Sequence, residues 1–138
     1  METEQAQRRS RPDAGSSEDH FDVFACACPS RPTLEHITGR WGVLTLGGLA
    51  QGPLRFNELA RRVDGVSQKM LSQTLQALER DGFVEREVLA TLPPHVVYRL
   101  TPVGVAVADK LMGLIADLEA LMPQVLDAQA RYDGREAD

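Results

Sequence analysis

The sequence has no apolar run long enough to cross a bilayer; its hydrophobic stretches are broken by charge or glycine well short of the roughly 18 to 20 residues that a span requires. A membrane protein is excluded on that reading. The first 20 residues, METEQAQRRSRPDAGSSEDH, also lack the apolar core of a signal peptide, which predicts a chain that stays in a reducing cytoplasm. Cysteine is scarce. Cys26 and Cys28 are the whole supply in 138 residues, too few and too close together for a disulfide framework or a four-ligand zinc site. His20, His36 and His95 are scattered and do not complete a metal spacing with them, so the sequence predicts no metal and no cofactor. No His or Asp is arranged visibly as a partner for a cysteine nucleophile, and the chain is read as a non-enzyme.

An excess of positive charge is missing too: 15 Lys and Arg stand against 20 Asp and Glu, a net charge of -5 that argues against indiscriminate binding to polyanions. The imbalance is uneven. Residues 1–30 hold three basic and six acidic residues, and residues 101–138 three and seven, whereas residues 31–100 hold nine and seven. Only the middle is suited to phosphate.

What is present is a series of short amphipathic segments. Residues 1–20 are polar and charged and are read as a disordered leader. From Thr33 to Ala50, apolar residues at Leu34, Ile37, Trp41, Leu44 and Leu49 predict two helices broken at Gly39. After Gly52-Pro53, Leu54-Arg55-Phe56 makes an edge strand at most. Phe56, Leu59, Ala60 and Val63 then recur at helical spacing up to Asp64-Gly65. Ser67 is a natural N-cap for a helix whose apolar stripe is Met70, Leu71, Thr74, Leu75 and Leu78, ending at Asp81-Gly82. Val84 to Ala90 and Val96 to Leu100 alternate with a two-residue period around Pro93-Pro94 and predict a hairpin with a stiff tip. A last helix starts at Thr101-Pro102 and runs to about Tyr132. Its seam of Leu111, Ile115, Leu118, Met122 and Val125 has coiled-coil spacing, and Leu114 and Leu121 widen it. A helix of about 30 residues spans roughly 45 Å, more than one small domain covers, so the seam is read as a homodimer interface. Pro123 should kink or divide that helix.

This order is a mainly α fold with a small β-wing, the winged helix-turn-helix, followed by a long dimerisation helix. Residues 21–102 form the expected DNA-binding domain, 103–132 the dimerisation helix and 133–138 a disordered tail. The second helix of the helix-turn-helix would enter a major groove with Ser67, Gln68, Lys69, Ser72, Gln73 and Gln76 outward. Glutamine can bond an adenine edge in bidentate fashion, serine can donate or accept, and lysine can reach guanine or phosphate. A solvated surface helix would also look like this, but no Asp or Glu occurs from Ser67 through Leu78 in an otherwise acidic protein. His95 at the hairpin tip and Arg99 nearer its base would touch the flanking groove or backbone, with Arg40 and Arg55 on phosphates.

Seven stretches together resemble one family: Cys28-Pro29, Gly39-Arg40-Trp41, Gly52-Pro53-Leu54-Arg55-Phe56-Asn57-Glu58-Leu59, Val66-Ser67-Gln68-Lys69-Met70-Leu71, Leu78-Glu79-Arg80-Asp81-Gly82, Pro93-Pro94-His95-Val96-Val97-Tyr98 and Leu100-Thr101-Pro102-Val103-Gly104. They are similar to the HxlR-type bacterial transcriptional regulators over about residues 26 to 120. The resemblance implies a cytoplasmic homodimer that binds double-stranded DNA at a pseudopalindromic operator. Family members commonly carry a basic residue where His95 stands and an acidic one at Val97, which implies a weaker or pH-dependent wing contact here.

The resemblance also implies that the cysteine before the proline, Cys28, senses a small reactive effector, an electrophile or oxidant, with Cys26 as an extra thiol. Such a thiolate needs positive charge nearby and access to solvent; Arg31 and the helix starting near Thr33 are the candidates to supply the charge. The plainer reading of both cysteines is small core fillers. Trp41 reads as a core anchor. Two alternatives stand beside the DNA-binding regulator: a winged-helix protein-protein interaction module, and a regulator that senses a small molecule in a pocket near the dimer interface.

Overall fold

The computed structural model describes residues 20–137. The expected leader lies outside them except for His20, as does Asp138 at the end of the expected tail. Ser30–Thr38 forms α1 and Arg40–Gly48 forms α2, separated at Gly39, whose extended ψ of 163° interrupts the helical path. The corner is tight. A side chain at Gly42 would put its Cβ 1.9 Å from the His36 carbonyl oxygen, so only glycine lets α2 pass that close to the end of α1. Leu54–Arg55 is β1, Phe56–Arg62 is α3 and Gln68–Arg80 is α4. Val84–Leu89 is β2, His95–Leu100 is β3, and Pro102–Ala137 is α5.

Local chemistry explains the ends of these elements. The Ser67 hydroxyl accepts a hydrogen bond from the Met70 N–H at 3.1 Å, satisfying a donor that the first turn of α4 leaves free. At the other end Phe83 N–H donates to Leu78 O and Gly82 N–H to Glu79 O, a Schellman closure that needs the left-handed Gly82, φ +85°. Thr101 caps α5 in the same way, its hydroxyl accepting from Gly104 N–H at 3.0 Å, and Pro102 opens the helix where a missing N–H costs nothing.

The sheet is antiparallel with order β1-β3-β2; Leu54 faces Tyr98, and the hairpin register sets Glu85 opposite Arg99 and Leu89 opposite His95. Leu46, Leu49, Leu59, Leu71, Leu75 and Leu78 are at most 2% exposed and make the centre of the core. Burying each contributes about 2 kcal/mol of apolar transfer. Trp41 is half-buried against this cluster, in the anchoring place its spacing predicts.

Four expectations are corrected. Met70, placed by spacing on the buried stripe, is 38% exposed, because the stripe proper turns with Leu71, Leu75 and Leu78. Within β2 the alternation fails at its outer end: Val84 is buried but Val88 is 58% exposed, since the wing extends beyond the helices. Pro123 does not divide α5, which continues through it as one helix of 36 residues, about 54 Å long. The helix also passes Tyr132 and runs to Ala137; its last turns carry an Asp127–Arg131 ion pair and Arg135 stacked on Tyr132, both at helical spacing.

Candidate nucleic-acid interface and thiol site

The short α3, the turn at Val63 to Val66 and α4 form the helix-turn-helix, and the core fixes which face of α4 meets solvent. With Leu71, Leu75 and Leu78 inward, Gln68, Lys69, Gln73 and Gln76 are exposed and Ser72 is half-buried beside them. Ser67 is exposed at the start of the same helix. These six therefore share one end and face, carrying amide, hydroxyl and ammonium groups and no carboxylate. Glu79 lies one turn beyond, lining a recess with Ser72, Gln76, Arg86 and Tyr98. Arg86 is a residue that sequence reasoning missed. Its place in β2 opposite Tyr98 brings an exposed guanidinium beside α4, and nothing short of the strand register signals that.

The other basic candidates differ in how free they are. Arg40 is exposed at the start of α2, its guanidinium 4.8 Å above the Trp41 ring, a stacking that orients the charge without neutralising it. Arg55 is exposed at the end of β1, and its backbone N–H donates to the Glu58 carboxylate at 2.9 Å, closing the first turn of α3 and leaving the guanidinium outward of that bond. Arg99 is the exception. It forms an ion pair with Glu87 and lies 3.9 Å from Glu85, both across the hairpin, so its charge is shared with two exposed carboxylates of the same chain. His95 begins β3 beside the wing tip and is half-buried. The pairing turns the Arg99 guanidinium toward the carboxylates of β2 in its own chain.

The stretch before α1 builds the thiol site. Cys28 Sγ accepts from the Asp22 N–H at 3.3 Å and from the Ser30 hydroxyl at 3.2 Å. Hydrogen bonds from the Ser30 side chain and backbone, then from Asp22, hold the Cys28 thiol below its ordinary pKa, against the opposing effects of desolvation and the Asp22 charge. Arg31, expected to supply the positive charge, does something else: its guanidinium donates to the carbonyls of Val23 at 2.7 Å and Phe24 at 3.0 Å, tying down the loop that carries Asp22. Cys26 is exposed and Cys28 intermediate, and neither is bonded to the other. Both stand outside the hydrophobic core, which sets aside the core-filler reading.

Along α5 the seam residues separate. Leu111 is 7% exposed and belongs to the core of its own chain, which corrects its assignment to a partner. Ile115 is half-buried near α2, with its Cδ1 3.7 Å from where a Cβ on Gly47 would stand. Leu118 is 51% exposed, and Leu114 and Leu121 are 62% and 47%; Met122 and Val125 are half-buried. Among the described residues no three His, Cys, Asp or Glu are grouped to hold a metal, and no helix is long and apolar enough to cross a membrane.

A helix-turn-helix whose second helix is exposed along a polar face, flanked by a three-stranded wing, defines the winged helix-turn-helix class. The HxlR-like helix-turn-helix family pattern matches residues 36–127, and the chain belongs to that family of transcriptional regulators. It is 50% identical over 105 residues, 76% of this chain and 83% of the relative, to the uncharacterized HTH-type transcriptional regulator YtfH of Escherichia coli. Among solved structures, the transcriptional regulator YtfH from Salmonella typhimurium is 50% identical with a TM-score of 0.75, covering 80% of this chain and 99% of that one. The redox regulator HypR in its oxidized form is 35% identical with a TM-score of 0.62, covering 67% and 96%.

Proposed function

We propose that this transcriptional regulator is a homodimer that binds a pseudopalindromic operator in a sequence-specific manner and responds to electrophiles or oxidants through Cys28. The observation that carries the reading is the outward face of α4: Ser67, Gln68, Lys69, Ser72, Gln73 and Gln76 on one side of a helix anchored by three buried leucines, without an Asp or Glu before Glu79. Rigid anchoring matters because base-edge contacts need side chains held in register with the groove. Arg40 and Arg55 would hold phosphates, Arg86 would join them beside α4, and His95 would approach the flanking groove. The second subunit would cover Leu114, Leu118, Leu121 and Val125, placing two copies of α4 about one DNA turn, roughly 34 Å, apart. The Cys28 thiol, held below its ordinary pKa by hydrogen bonds from Ser30 and Asp22, with Cys26 as an accessible second thiol, supports the sensing part, as does the likeness to a redox regulator.

Fluorescence anisotropy of the reduced protein on its own upstream intergenic DNA and on an unrelated duplex, at two salt concentrations, tests the reading. Preference for its own DNA with affinity falling as salt rises is expected; equal or absent binding to both favours the interaction module. Gln73→Ala and Gln76→Ala should each cost about 1 to 3 kcal/mol on the preferred site and relax the preference, whereas Arg55→Ala should weaken both duplexes alike. One observation favours a second reading, effector binding in a pocket: a recess of about 400 Å³ between α2, the end of α3 and α5, walled by Leu44, Gly47, Val63, Met112 and Ile115. A small molecule that released DNA equally from the Cys28→Ser variant would support it.

A further inference from the structure

Helix α1 joins the thiol to the recognition helix, and its far joint is a polar pair. Ser30, whose hydroxyl is bonded to the Cys28 sulfur, is the first residue of α1. His36 lies in the last turn, six residues or about 9 Å further along the axis. There His36 Nδ1 is 2.6 Å from Asp81 Oδ2, and because a carboxylate only accepts, the ring nitrogen is the donor. Asp81 is the C-cap of α4, and its side chain is only 8% exposed. A carboxylate so shielded needs a close partner; Arg80, at 3.8 Å and 84% exposed, is the more distant one. Helix α1 itself contains no buried residue, whereas α4 has three. With no fully buried side chain, α1 is held at its far end by Ile37 against the core, by the close approach of Gly42 to the His36 carbonyl and by the His36–Asp81 bond, while its first turn is held only by the polar bonds around Cys28.

We infer that His36 and Asp81 are the positioning pair through which a change at Cys28 reaches the recognition helix. The inference rests on the thiol-responsive reading above and adds its route. With an activated alkene as electrophile, the Cys28 thiolate attacks one alkene carbon and forms a C–S bond; the π pair moves to the neighbouring carbon, which takes a proton from water, and nothing is oxidised. The adduct fills the space in which Asp22 N–H and the Ser30 hydroxyl met the sulfur and pushes the start of α1 outward. As a short rigid rod, α1 carries His36 away from Asp81. The C-terminal end of α4 then loses its tie to α1, and the helix, still anchored by Leu71, Leu75 and Leu78, tilts at that end and shifts its recognition face.

The test uses the full chain carrying Cys26→Ser, so that Cys28 is the sole thiol, N-ethylmaleimide as the electrophile, and anisotropy on the protein's own upstream DNA. Alkylation should weaken binding about tenfold in this protein. That ratio should collapse to within about twofold when His36→Ala is added and should persist with Asp81→Asn, which keeps an acceptor for the ring N–H. A merely structural role for His36 would lower affinity equally before and after alkylation and leave the ratio intact, which overturns the inference. Hydrogen exchange supplies a check that needs no His36 variant: alkylation should speed exchange of the Asp81, Gly82 and Phe83 amides, and unchanged protection there overturns it as well. If the Cys26→Ser protein binds no DNA or ignores alkylation, the underlying reading and the route fall together, which separates that failure from a defect confined to the His36 variant.

Discussion

Helices α4 and α5 carry apolar stripes of the same kind at similar spacing, and the fold treats them in opposite ways. Leu71, Leu75 and Leu78 of α4 are at most 2% exposed, whereas Leu114, Leu118 and Leu121 of α5 stand between 47% and 62% exposed. The first turns of α5 do enter the core through Ala108 and Leu111, so the change occurs within one helix, where it outgrows the domain beneath it. A stripe thus states that a helix needs an apolar partner. Whether the partner is the same chain or another is decided by the length and placement of the remaining elements.

Substitutions on the two stripes should therefore act on different equilibria. Leu75→Ala removes a side chain packed on all sides and should cost about 3 kcal/mol of folding stability in chemical denaturation, independent of protein concentration. A loss below about 1 kcal/mol would break the comparison at its stronger end. The pair Leu118→Ala with Leu121→Ala should leave folding of the single chain nearly unchanged and weaken self-association by about 2 kcal/mol, read by sedimentation across a concentration series. Unaltered association would remove these leucines from the proposed dimer surface.

The smallest expected effect compares the two serines at helix starts. The Ser67 hydroxyl accepts from the backbone of α4, while the Ser30 hydroxyl donates to the Cys28 sulfur. Ser30→Ala removes the largest influence that lowers the Cys28 pKa, so the pKa rises, less thiolate is present at neutral pH, and alkylation of Cys28 should slow severalfold there. The pH–rate curve should move to higher pH and meet the parent curve well above it. An unshifted curve would assign the activation to the backbone amides of Ser30 and Asp22 instead.

Much of the recognition helix was legible because its determinants are local. The Ser67 cap, the three-four spacing of leucines, the Gly82 stop and the missing carboxylates all lie within 16 residues, and the helix that forms between Gln68 and Arg80 follows from them. Residues whose role depends on contacts across the chain were not legible. Arg99 looks like a free cation until the hairpin register sets Glu85 opposite it and Glu87 within reach. Arg31 lies three residues from Cys28 but points to the Val23 and Phe24 carbonyls. His36 and Asp81 are 45 positions apart, and nothing in either neighbourhood announces the other.

The sequence by itself determined the winged helix-turn-helix class, the order of the elements, the two ends of α4, and the family, because hydrophobic period, capping residues and turn residues act over a few positions and need no partner. Only the tertiary structure decided which cations are free, which leucines of α5 belong to this chain's core, and what holds the Cys28 thiol below its ordinary pKa. Those outcomes depend on strand register, on a helix corner tight enough to require Gly42, and on hydrogen bonds between groups brought together by folding. Pairing energies fall off within a few ångströms, so only the folded chain determines which groups feel them.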